Sequence, residues 1–136
     1  MLILQTQNKT LHKPPIKIVI MKANELRIGN FVSWKNEKVE IDSISETEIT
    51  LKTFFNIKIK LAEIKPIVLS YEWIETLGFE KIRHINGYIF WVHKRAKIEI
   101  YFDRTMIKWQ GYPTKCKLQV HQLQNLYYSV MGEELV

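Results

Sequence analysis

Four histidines, one cysteine and a stretch dense in lysine, arginine and aromatic rings are the residues of this 136-residue chain that could do chemistry. The histidines are His12, His84, His93 and His121, and no two stand at helical ligand spacing or as His-x-His. With a single cysteine, zinc-ribbon and zinc-finger ligand sets are excluded. Cys116 stands between Lys115 and Lys117, which would lower its pKa and favour a thiolate, although a loop cysteine beside exposed lysines is the commoner case. His93, next to Lys94 and Arg95, would suit a phosphate, but a histidine at a hairpin end is more often structural. The five glycines are scattered singly, so no phosphate-cradling loop is present. These patterns assign no catalytic, metal-ligating or cofactor-binding residue. The chain is expected not to be an enzyme and to need no cofactor, with an unfamiliar activity as the alternative.

The basic segment is more informative. Around Trp91 and Tyr88, the residues Arg83, Lys94, Arg95, Lys97, Arg104 and Lys108 combine rings with cations. Bases of single-stranded nucleic acid stack on such rings while cations meet the phosphates. No RNA-binding consensus is present, and large aromatics in a small domain usually belong to the core.

Those residues need a scaffold, and the composition supports one. Hydrophobic residues make up 46% and aromatics 12%, enough for a packed interior. The longest apolar runs, such as Ile18-Val-Ile-Met21, are too short to cross a bilayer. The basic N-terminus has Pro14-Pro15 where a signal peptide needs an unbroken apolar stretch. A lone cysteine fits a reducing compartment, so a cytoplasmic location in a host cell and no membrane partner are expected. The net charge of +6 is unevenly spread. Residues 1–22 carry +4, 23–80 carry −3, 81–117 carry +7 and 118–136 carry −2. A concentrated positive segment attracts a polyanionic or acidic partner.

Local patterning predicts an α+β fold. Residues 1–21 read as a basic N-terminal extension, in which Ile16–Ile20 could add an edge strand. Residues 22–67 read as short strands with alternating apolar positions, an SH3-like barrel or sheet. Residues 68–136 read as helix, four-stranded antiparallel meander and C-terminal amphipathic helix, packed with the first lobe as one unit. Ser70 caps the first helix and Gly78 ends it, with Trp73, Ile74 and Leu77 on its core face. Asn86-Gly87 predicts a type I′ hairpin turn. On 97–103, Ile98, Ile100 and Phe102 should face the core, and Tyr101 the other side. Residues 88–93 are apolar on both faces, so either Trp91 or Tyr88 is expected outside.

The last helix, 118–131, has no charged residue although 25% of the chain is charged. Val120, Leu123, Leu126, Tyr127, Val130 and Met131 form its core stripe. Opposite stand His121, Gln122, Gln124, Asn125, Tyr128 and Ser129. Amides and phenols can be buried at far smaller cost than charges. This face is expected to pack on the first lobe, the alternative being a partner. The candidate contact residues are thus the six cations above and Trp91, with His121, Gln124, Asn125 and Tyr128.

His121-Gln-Leu-Gln-Asn-Leu-Tyr-Tyr128 and Gly132-Glu-Glu-Leu135 resemble the C-terminus of small prophage and mobile-element proteins of Bacteroidota. Glu25-Leu-Arg-Ile-Gly-Asn30 and Ile67–Phe79 are similar to their opening and middle, so the resemblance spans about residues 22–135. It carries over no activity and no catalytic residue. It implies a phage or prophage accessory protein, and hence a host protein or ribonucleoprotein as partner. The leading expectation is a non-enzymatic inhibitor or modulator of an RNA-guided defence nuclease, anti-CRISPR-like, acting through its basic sheet or its neutral helix. The alternative is a nucleic-acid-binding accessory protein of phage replication or regulation, contacting RNA or single strands directly.

Overall fold

The computed structural model describes residues 21–53 and 57–135, so the Ile16–Ile20 run lies outside it. A short 3-10 turn, Ala23–Glu25, leads into β1 (Phe31–Trp34), β2 (Glu37–Ile44), β3 (Glu48–Leu51) and β4 (Lys58–Lys60). A second 3-10 turn, Leu61–Glu63, precedes β5 (Ile64–Lys65). These strands form an antiparallel sheet in the order β4-β3-β2-β1-β5. Because β5 returns to the free edge of β1, the sheet curls into a half-barrel of the SH3-like kind. Alternation explains the inward set: Val32, Val39, Ile41, Ile49, Leu51 and Ile59 are buried, and the residues between them are wetter. Met21 is 2% exposed in this core, so it belongs to the lobe and not to an arm.

The chain then forms α1 (Tyr71–Thr76), a meander of β6 (Glu80–Arg83), β7 (Ile89–His93), β8 (Ile98–Tyr101), β9 (Met106–Trp109) and β10 (Tyr112–Pro113), and α2 (Val120–Met131). The second sheet runs β10-β9-β8-β7-β6, antiparallel throughout. Both helices end on left-handed glycines, Gly78 (φ 86°) and Gly132 (φ 70°), and the Ser70 hydroxyl accepts the Trp73 N–H at 3.3 Å. Ile74, Leu77, Ile98, Ile100, Ile107 and Leu123 centre the second core. Fully burying each isoleucine stabilises by about 2 kcal/mol. The architecture is α+β with two cores that divide between Ile64 and Leu69.

Two turns differ from expectation. At Asn86-Gly87 only Gly87 has positive φ (90°), and its N–H donates to the His84 carbonyl at 2.8 Å. The loop is therefore a type I turn followed by a left-handed glycine, a three-residue solution that still twists the hairpin correctly. The two-residue turns with positive φ at both positions are Lys35-Asn36 and Gln110-Gly111 instead. The second of them adds β10, a fifth strand beyond the expected four.

Candidate functional site

The uncharged face of α2 is buried at His121 and Gln124 and half-buried at Gln122 and Asn125, while Tyr128 (43% exposed) and Ser129 stay in solvent. Gln124 is 1% and His121 0% exposed, so neither is available to a partner in this conformation. The turn before β1 fills the face. Gln124 accepts the Phe31 N–H at 2.8 Å and donates to the Gly29 carbonyl at 3.2 Å. Asn125 donates to the Glu25 carbonyl and accepts from the Asn30 amide, both at 2.9 Å. Asn30 is fully buried, and its own oxygen accepts the Arg27 N–H at 2.7 Å. Arg27 reaches Asn125 at 3.2 Å, lies 4.0 Å over the Tyr128 ring and pairs with Glu134. Neutral amides suit the buried part of this contact, where a charge would be costly, while the charged Arg27–Glu134 pair sits at its part-exposed rim. The absent charge has a structural cause. The stretches 25–30, 121–128 and 132–135 meet at this clasp.

His121 lacks the amides' compensation. Both of its ring nitrogens are buried without a hydrogen-bond partner, and burial pushes its pKa down to about 4. His93 also points inward, between Phe79 (5.3 Å) and Tyr127 (5.1 Å), with Nδ1 accepting the Ala96 N–H at 3.2 Å. Burial, then the Arg95 charge, lower its pKa and disfavour its charged form. Burial likewise raises the Cys116 thiol to about 12, which outweighs any help from the flanking lysines and removes the thiolate reading.

The second sheet resolves the ambiguity of 88–93 by register. Trp91 stands opposite Ile100, and Ile100 opposite Ile107, so all three point into the core. Trp91 is 4% exposed, too deep to meet a partner. Phe90 and Tyr88 therefore face outward. Phe90 stacks on Tyr101 of the neighbouring strand, with centroids 5.0 Å apart, and Tyr88 lies 6.1 Å from Phe90. His84 stacks on Tyr88 at 4.4 Å and 10°. The result is a row, His84–Tyr88–Phe90–Tyr101, across two strands and the β6–β7 loop, each ring keeping part of its surface in solvent.

Cations border this row at one end. The Arg104 guanidinium is 5.8 Å from the Tyr88 ring and 6.0 Å from Tyr101, and the Lys108 ammonium is 5.0 Å from Tyr101. Burial and the neighbouring Glu99 carboxylate hold the Tyr101 phenol above its ordinary range, so it remains a hydrogen-bond donor at neutral pH. Exposed Arg83 ends β6 opposite Ile89, on the face that carries Trp91 and away from the rings. The opposite end is balanced by acids: Lys94 pairs with Glu80 at 3.2 Å and Arg95 with Glu133 at 2.8 Å. Exposed Lys97 closes the hairpin there with φ 57°. Of the predicted residues, the structure brings Arg104 and Lys108 to the rings and leaves Lys94, Arg95 and Lys97 at the far end. Phe90, Tyr101 and His84 are the additions. Tyr101 was legible from alternation, and the pairing of Trp91 with Ile100 would have exposed Phe90.

No family model, curated protein or solved structure matches this chain. The site must therefore be judged on its own geometry. A groove of about 380 Å³ between the lobes, lined by Phe31, Lys38, Trp73, Leu77, Gln124 and Leu135, is chiefly apolar. No cluster of three or more potential metal ligands occurs among the described residues, and none of their helices is long and apolar enough to cross a membrane. The aromatic row with its basic end is the surface whose chemistry is most defined. Its rings pair face to face and turn part of their surface to solvent beside two cations.

Proposed function

We propose that this chain is a phage or prophage accessory protein that binds single-stranded nucleic acid on the outer face of its second sheet, in the host cytoplasm. The supporting observation is the row Tyr88–Phe90–Tyr101 with Arg104 and Lys108 within cation–π range. Stacking contributes about 1–3 kcal/mol per base and is indifferent to sequence, while phosphate contacts make affinity fall with salt. Anisotropy titrations of labelled single-stranded RNA and DNA at low and moderate salt test this. Binding should weaken with salt by a log–log slope of about −0.7 for each phosphate engaged. Undetectable binding of both strands at low salt would reject it.

Glu80 and Glu99 share the outer face with the rings, and these acids favour a second reading: docking on a protein–RNA complex, as an inhibitor of an RNA-guided nuclease would. Of the two surfaces expected to serve that role, the neutral helix is partly occupied by the clasp, which favours the sheet. Inhibition of a purified nuclease by a chain that ignores free RNA would favour this second reading over the first.

A further inference from the structure

We infer that the hairpin joining β6 to β7 is a junction sensor: Ile85 at its tip wedges against the last base pair where a duplex opens into a single strand. The inference rests on the single-strand reading above and adds the form of nucleic acid preferred. Ile85 is 95% exposed, at the first central position of a type I turn, a place that requires no apolar side chain. Leaving it in water forfeits the hydrophobic stabilisation that burial elsewhere would give. The tip follows His84, whose ring stacks on Tyr88, and the Arg104 guanidinium lies 5.8 Å from that Tyr88 ring. Immediately below it, the Asn86 N–H donates to His84 Nδ1 at 3.2 Å, so the neutral imidazole carries its proton on Nε2. That bond fixes the ring that stacks on Tyr88, and the stacked pair begins the row along which an unpaired strand would run.

A terminal base pair presents a flat apolar surface that a continuous single strand lacks. Apolar side chains exploit such surfaces when they insert at base steps. Ile85 would meet that surface, Arg104 would meet a phosphate flanking the junction, and Tyr88, Phe90 and Tyr101 would take the unpaired bases.

Three probes of shared sequence separate the possibilities: a hairpin duplex with a single-stranded tail, the tail alone, and the blunt duplex. Wild-type protein should bind the tailed duplex about fivefold or more tighter than the tail, and the blunt duplex least, since one stacked apolar contact is of that order. Ile85→Ser, fully exposed and so without effect on thermal stability, should bind the tail as before and lose the preference; Ile85→Phe should keep it. Equal affinity for tail and tailed duplex, or a preference that survives Ile85→Ser, overturns the wedge while leaving single-strand binding intact. Failure to bind either probe overturns both.

Discussion

Gln124 Oε1 accepts the main-chain N–H of Phe31 at 2.8 Å, tying the last helix to the first strand across 93 residues of sequence. The same side chain donates to Gly29, so one neutral amide satisfies two buried backbone groups. Removing it strands both of them, at about 1–3 kcal/mol each. Gln124→Leu should therefore lower the unfolding free energy by about 2–4 kcal/mol, read as a lower urea midpoint at unchanged slope. A loss below about 0.5 kcal/mol would mean that the amide is not the link between lobes.

His121 makes stability depend on acidity. Its folded pKa, about 4, lies below the ordinary 6.5, so the unfolded chain binds the proton more readily. Stability is then fully present above pH 6.5 and is lost as pH falls toward 4, by about 3 kcal/mol in total. His121→Leu, which replaces two unpartnered nitrogens with carbon, should flatten the denaturation profile across that window. It should also match or exceed wild-type stability at pH 5. A profile unchanged by the substitution would place the acid sensitivity elsewhere.

Thr105 holds φ at 50° in the loop between β8 and β9, a conformation that costs a β-branched residue about 1–2 kcal/mol. Glycine adopts it freely but has more freedom to lose on folding. The balance predicts that Thr105→Gly raises stability by about 0.5–1 kcal/mol, measured by thermal or urea unfolding. Destabilisation would indicate a tertiary role for the threonine side chain.

The legible parts of this fold are those where one periodicity dominates. Alternation identified the strands of both sheets because each buries one face, and Ser70, Gly78 and Gly132 marked helix ends whose backbone requires them. The strand 88–93 was opaque because Tyr88, Phe90 and Trp91 are apolar on both sides, and only pairing to Ile98–Tyr101 decides which ring goes in. Turn type at Asn86-Gly87 was misread because the dipeptide serves loops of two or three residues alike. The neutral face of α2 did signal burial, and Asn30 and Arg27 were unforeseeable as its partners: contacts of 93 to 107 residues' separation leave no local pattern.

The most direct test of the sheet face is a chemical-shift titration of the isotope-labelled protein with a short single-stranded oligonucleotide. Nucleic-acid binding on this surface predicts salt-sensitive shifts confined to Tyr88–Val92, Glu99–Tyr101, Arg104 and Lys108, with the clasp residues Asn30, Gln124 and Asn125 silent. Shifts that bypass the aromatic row, or a spectrum unchanged at saturating oligonucleotide, would contradict it.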